Sequence, residues 1–368
     1  MASSRLPAGH STCPATSDPG GGQTGRLATC ACDTVAVMRD TTWQSEAYEW
    51  VCGATGEKLP ALEHVRTEAW STLRRTQGRD TTFWFKENTP SLTPEGPVQA
   101  TLTTLAPDHV DAPVAWDVDR GWLLTRDGGQ VLQERYPDRR GMDREAVRAM
   151  LRDYAHLQRA TVGHARTLAA AGLPDRSPAT AGKTLREVAA AMAASPPGDP
   201  RHITDQEHAH LQASVDVIDE AARQLQDGPV PAAVDHNDLF PRNVFVPRPG
   251  QGYRFFDFGE SLWSHPFESL VMLTWEIVHQ HKLQVGDDGR LDLDHPQIHD
   301  LFDAYLECWQ DFADLATLRG LTAAALQIAP LYRAERWMQI LDSRPTALDK
   351  HGSTPRAWIF DIERPVRL

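Results

Sequence analysis

Residues 234–260 constrain the fold more than any other stretch of this chain. The half of the sequence around them reads as helix, whereas this island breaks into short apolar strands on either side of a turn. Val244-Phe245-Val246 and Tyr253-Arg254-Phe255-Phe256 flank Pro247-Arg248-Pro249-Gly250-Gln251-Gly252, a run of turn-forming residues. The spacing predicts a hairpin. A hairpin sets the residue before its first strand beside the residue after its second, so Asn243 and Asp257 are expected to meet at one end. A carboxamide oxygen and a carboxylate are hard ligands suited to Mg²⁺. Asp238 lies on the loop that enters the hairpin, where a carboxylate can reach an incoming hydroxyl. Phosphoryl transfer needs these parts: metal ions to neutralise phosphates, and a carboxylate to accept the nucleophile's proton.

Around the island, Val147, Met150, Leu151, Tyr154 and Leu157 recur at helical spacing and predict a helix over 144–159, with Asp143 as N-cap and Gly172 as stop. Thr204 and Glu207 form a capping-box signature ahead of Leu211, Val215, Ile218 and Leu225. Further helices are expected over 266–282, 297–313 and 320–342. Residues 33–128 read mostly as short strands. Within them, 81–86 is aromatic and Thr-rich, 95–105 is a short helix, and 115–118 with 122–125 form a hairpin around Asp119-Arg120-Gly121. Gly128-Gly129 breaks the pattern and reads as a hinge. Residues 1–32, rich in Ser, Thr, Gly, Pro and Ala, are expected to be disordered. The expectation is an α+β chain: a tail over 1–32, a small antiparallel β lobe over 33–128 and a larger helical lobe over 129–368.

The 368 residues, 41% of them hydrophobic, suffice for two domains. A net charge of -13 repels phosphate backbones, so nucleic acid is not an expected partner. Cys13, Cys30, Cys32, Cys52 and Cys308 form no disulfide-like array, which favours a reducing cytoplasm. Cys30-Ala31-Cys32 lacks zinc-site spacing. No apolar run of about 18 residues is present, so no membrane span is expected, and the first residues contain no apolar block of the kind a signal segment needs. Ala181-Gly182-Lys183-Thr184 ends like a phosphate-binding loop but has no strand before it, and Lys183-Thr184 reads as a helix start. The pairs His208/His210 and His279/His281 do not share a helix face. Trp263, Trp275, Trp309 and Trp337 could line a cation-binding pocket, although helix-spaced aromatics more often build core.

His236-x-Asp238-x-x-x-x-Asn243, followed by Asp257-Phe258-Gly259, resembles the aminoglycoside phosphotransferase and choline kinase superfamily. The resemblance spans about residues 60–340 and implies a protein-kinase-like bilobal fold. It implies Asp238 as catalytic base, His236 as a brace for its loop, and Asn243 with Asp257 as magnesium ligands. Glu268 would anchor the loop. Lys86 would hold the nucleotide phosphates and Glu95 would orient it, while strand alternation points Glu87 to the opposite face. Ser71 is the expected phosphate contact in the covering loop at 66–72, which contains no glycine. The backbone of 122–129 would meet the adenine. The implied cofactors are Mg²⁺ and ATP, with GTP left open. The implied partner is a small molecule bearing a hydroxyl, aminoglycoside-like or another cationic polar compound, as in antibiotic resistance. Choline, homoserine and sugar kinases share the same core motifs and stay open. A non-catalytic kinase-like binding module is the alternative of another class. A protein kinase is disfavoured, because no Ala-Pro-Glu activation segment is recognisable. The chain is expected to be a monomer or homodimer.

Overall fold

A computed structural model describes residues 31–135, 143–274, 291–293, 296–362 and 366–368. Met1–Ala47 and Tyr48–Leu368 are separate units; of the first, residues 31–47 are described, as helix. The sheet, the helices after it and the candidate site all lie in the second. The expected tail therefore falls outside the described residues over 1–30, while Ala31 and Cys32 already open a 25-residue helix, α1 (Ala31–Thr55). This corrects the reading of 33–55 as strand. Thr and Val attracted that reading, but no Pro and only one Gly interrupts the stretch. In its Tyr48–Thr55 part, Val51 is buried. There Trp50 packs edge-on against Phe85 and Trp122, with centroids 6.0 and 5.6 Å away. Burying rings of this size contributes about 1.5–3 kcal/mol each, more than weak local propensity can oppose.

Strands begin at Glu63. β1 (Glu63–Thr67), β2 (Ser71–Gln77), β3 (Thr82–Asn88), β4 (Ala115–Asp117) and β5 (Trp122–Arg126) form one antiparallel sheet in the order β1-β2-β3-β5-β4. Alternation along β3 buries Phe83 and Phe85 on one face. It leaves Trp84 and Lys86 on the other. The β4–β5 hairpin turns at Gly121, whose φ of 70° a side chain would resist. Between β3 and β4 lies α2 (Glu95–Leu105), with the bounds read from sequence.

The rest is mainly helical. α3 (Arg144–Thr161) buries Val147, Met150, Leu151, Tyr154 and Leu157, and its N-cap Asp143 accepts a hydrogen bond from Glu145 N at 3.0 Å. It stops eleven residues before the expected Gly172, because Gly163 at φ 81° breaks it; Gly172 follows the short helix Ala165–Ala170 instead. Lys183 and Thr184 open the helix Ala181–Ala194. The capping box of Thr204 and Glu207 is present and starts the helix Asp205–Ala213. Pro266–Leu270 is a 3₁₀ turn leading into helix at 271–274; the remainder of the expected 266–282 helix, with Trp275 and the His279/His281 pair, lies outside the described residues. Pro296–Leu306 is followed by the long helix Leu315–Ser343, whose N-cap Asp314 accepts from Thr317 N at 2.8 Å. Trp309 is fully buried against Phe267 and Tyr305, and Trp337 is buried too, so both are core rather than a cation cage. Among the described residues, no helix is long and apolar enough to cross a membrane.

His265 sits in this core with its ring edge-on to Phe267 at 4.8 Å. Burial pushes its pKa down to about 3. The native state therefore holds the ring neutral, whereas the unfolded chain takes up a proton below its ordinary pKa of about 6.5. Stability is full above that pH and falls as pH drops through the window toward 3. The expected loss from this residue by pH 5 is about 2 kcal/mol, and His265→Gln should flatten that part of the urea-midpoint profile.

Candidate active site

Asn237 (φ 57°) and Asp257 (φ 67°) are the non-glycine residues held in the left-handed region among the described residues. Such a conformation is unfavourable for a side chain and persists only where surroundings enforce it. At Asn237 the enforcement is visible. Its N–H donates to Asp235 Oδ1 at 2.9 Å, and its carbonyl accepts from Arg333 Nη1 at 2.6 Å. Asp235 also accepts from Ser269 Oγ at 2.5 Å, and burial raises its pKa to about 6. Arg333 Nη1 donates in addition to Glu260 Oε2 at 2.6 Å. The segment before the loop, Ala233–Asp235, pairs with Leu262–Ser264 and is tied by Gln158, whose amide donates to Val234 O at 2.8 Å and Pro266 O at 2.9 Å.

His236 is wholly buried. Its backbone N–H donates to Tyr154 OH at 2.9 Å, and its Nε2 donates to Phe256 O at 3.0 Å. A carbonyl can only accept, so Nε2 carries the proton. Burial lowers the ring's pKa and keeps it neutral. The ring thus fastens the Asp238 loop to the residue before Asp257. Glu268 is also wholly buried and accepts from Ser264 Oγ at 2.7 Å; burial lifts its carboxyl far above the usual range. It supports the strand under the loop and is absent from the cavity lining.

The predicted hairpin forms as Val244–Phe245 against Arg254–Phe255. Phe256 N donates to Asn243 O at 3.1 Å, which places Asn243 across from the residue preceding Asp257. Asn243 Nδ2 donates to both Asp238 O and Asp238 Oδ2 at 2.8 Å. Its amide nitrogen is therefore committed to Asp238, and the carbonyl Oδ1 is the atom available to a cation. From the β lobe, Lys86 Nζ reaches Glu95 Oε2 at 2.6 Å and Asp257 Oδ1 at 2.5 Å. Burial alone would lower the amine's pKa; Asp257 first and Glu95 second override it and raise it, so the lysine stays charged. Asp257 Oδ2 and Asn243 Oδ1 are both hard oxygen donors of the kind that fits a small divalent cation. No three His, Cys, Asp or Glu residues form a metal cluster among the described residues. Any such ion would take its other ligands from water and phosphate.

A cavity of about 650 Å³ is lined by Ser71, Trp84, Lys86, Glu95 and Asp257, together with Arg242, Phe245 and Phe256. Ser71, buried and paired with Asn88, is the first residue of β2 rather than part of the loop, and it lines the cavity. Glu87 faces away, where its Oε1 accepts from Trp122 Nε1 at 3.4 Å. At the hinge, Gly128 lies so close to Phe245 that a Cβ would sit 2.1 Å from the ring, and its carbonyl accepts from Arg254 Nη2 at 2.7 Å. The glycine-free loop between β1 and β2 is a tight turn, with Glu68 N donating to Ser71 O at 2.9 Å. It is fastened to the helical lobe. Ala69 packs among Trp337, Ile340 and Leu341, Trp70 meets Trp337 at 5.9 Å, and Arg344 Nη1 donates to Glu68 O at 2.6 Å.

No protein-family model matches the sequence, and no curated protein does. Solved structures match across most of the chain. The ethanolamine kinase of Plasmodium vivax covers 81% of this chain and 81% of its own at 11% identity and a TM-score of 0.56. A type I macrolide 2′-phosphotransferase covers 93% and 100% at 13% identity and 0.52. The GDP complex of an aminoglycoside 2′-phosphotransferase covers 87% and 98% at 12% identity and 0.52. The chain has the aminoglycoside phosphotransferase and choline kinase fold.

On this phosphotransferase fold, the structure brings Ser71, Lys86, Glu95 and Asp257 to one cavity, whereas His236, Asp238 and Asn243 are buried outside its lining and connect to it through Arg242 and the Phe256 backbone. Sequence reasoning passed over Arg242, Arg333 and Glu260. Arg242 stood inside the motif, but a charge on a loop does not name its partner. Arg333 comes from the long helix, 73 residues beyond Glu260, and carried no local signal.

Proposed function

We infer that this chain transfers the γ-phosphoryl group of a nucleoside triphosphate to a hydroxyl of a small molecule. The bridging of Glu95 and Asp257 by Lys86, with Asn243 across the ladder end and bonded to Asp238, carries this reading. Lys86 holds phosphate oxygens, and Glu95 fixes its position. Asn243 Oδ1 and Asp257 hold Mg²⁺, which when bound neutralises the phosphates. Asp238 takes the acceptor's proton while His236 and Arg333 keep its loop in place. Ser71 contacts a phosphate from the roof. The division into lobes at 128/129 belongs to the same reading, since the nucleotide lies between them with its base against the hinge.

ATP is the favoured donor, and the GDP complex of the aminoglycoside 2′-phosphotransferase supports testing GTP beside it. The acceptor belongs with those of the similar structures: an amino alcohol, aminoglycoside, macrolide or a related polar compound, in a cytoplasmic enzyme. An aminoglycoside or macrolide acceptor would make the chain a resistance determinant. Calorimetric titration with ATP and GTP, with and without Mg²⁺, followed by nucleotide-consumption assays against these compounds and sugars, tests the reading. Absence of nucleotide binding would reject it. Tight binding with no turnover on any acceptor would instead favour a kinase-like binding module. Asp257→Asn is expected to abolish the Mg²⁺ dependence of ATP affinity, and a variant that still responds to Mg²⁺ would remove Asp257 from the metal site.

A further inference from the structure

Arg242 occupies a position that the transfer reaction, as described so far, does not use. It lies on the single 3₁₀ turn Pro241–Asn243, between Asp238 and the hairpin. Its Nη2 donates to Asp238 Oδ1 at 3.1 Å and Oδ2 at 3.0 Å. Its guanidinium carbon rests 4.2 Å from the centre of the Phe240 ring, which guides it without fixing it. The same side chain lines the cavity that holds Lys86 and Asp257.

With Arg242 in place, Asp238 is closed. Oδ2 also accepts from Asn243 Nδ2 at 2.8 Å, and Oδ1 has Arg333 Nη2 at 3.4 Å. An acceptor hydroxyl that is to give its proton to this carboxylate must displace one of the three. Arg333 is 4% exposed and bound to Glu260 and Asn237 O, and Asn243 is equally buried. Arg242 is 49% exposed, so it is the group that can leave at small cost. A triphosphate in the cavity offers it a better partner, because a planar guanidinium matches phosphoryl oxygens in two-point contacts.

The geometry points to Arg242 as a catalytic residue that moves from Asp238 to the transferred phosphoryl group when a nucleoside triphosphate binds. This rests on the phosphotransferase reading above. The move does two things: it uncovers the base, and it brings a positive charge to oxygens whose negative charge spreads in the transition state. The acceptor oxygen bonds to the γ-phosphorus, and its proton passes to Asp238. The bond from the γ-phosphorus to the bridging oxygen breaks, and its electron pair stays on the nucleoside diphosphate. Arg242 is unchanged throughout.

The test compares wild type with Arg242→Gln and Arg242→Lys in the full chain. Mg²⁺-dependent affinity is measured for ADP alone and for ADP with aluminium fluoride, a planar mimic of the phosphoryl group in flight. Thermal melts confirm that the variants are folded. ADP affinity is expected to change by less than about threefold, because no transferred phosphoryl is present. The additional affinity conferred by aluminium fluoride should fall by about 10²-fold in Gln and partly recover in Lys, and turnover should drop by about 10²–10³-fold. Retention of the full aluminium fluoride effect in a folded Arg242→Gln overturns the inference and leaves the phosphotransferase reading standing. Wild-type protein that binds no nucleotide removes both.

Discussion

Asp238→Asn is expected to lower turnover by about 10²–10⁴-fold while leaving Mg-ATP affinity within a few-fold of wild type, the loss typical of removing a positioned general base. The substitution keeps the shape of the side chain and an oxygen for Asn243 Nδ2, which donates to Asp238 at 2.8 Å, so the ladder end and its metal ligands should stay in place. What disappears is the capacity to take a proton. The measurement is nucleotide consumption with whichever acceptor the wild-type protein accepts, beside direct titration of ATP. Turnover within tenfold of wild type would remove Asp238 from the chemistry.

Arg333→Ala is expected to destabilise the fold by about 3–5 kcal/mol, since it strands a buried carboxylate and a buried carbonyl together. Glu260 would lose its 2.6 Å ion pair, and Asn237 O would lose its donor while still held at φ 57°. Burial already raises the Glu260 pKa to about 7, with Arg333 opposing that rise. Without the arginine the carboxyl protonates more readily in the folded state. A group whose pKa is raised on folding contributes stability at low pH and loses it as pH climbs through the folded value. The destabilisation should therefore be larger at pH 8 than at pH 5.5 when read from urea unfolding. Adding Glu260→Gln should recover part of the loss at the higher pH. A loss below 1 kcal/mol, or one equal at both pH values, would mean that Arg333 does not carry the loop.

The sequence made the hairpin legible because its parts are contiguous: two short, mostly apolar runs, one Pro/Gly turn and a polar residue at each outer end. Lys86 and Glu95 were legible for a related reason, a strand with clear alternation followed within nine residues by a helix start. α1 was not, because the Thr and Val residues within 33–55 have strand preference and the packing of Trp50 on Phe85 and Trp122 cannot be read locally. The end of α3 was misplaced because two glycines, Gly163 and Gly172, both offer a stop, and only the surrounding packing chooses between them. The loop's second support, Arg333, joins residues 96 positions apart, a separation at which no periodicity survives.

The anchored β1–β2 turn bears on how molecules enter. Trp70 on Trp337 and Arg344 on Glu68 tie that turn to the long helix, and Gly128 lies against Phe245 of the hairpin. Ties of this kind between sheet and helices resist a wide opening of the one away from the other. If the chain is the phosphotransferase proposed above, loosening the Trp70 contact should speed the departure of spent nucleotide more than it alters the reaction itself.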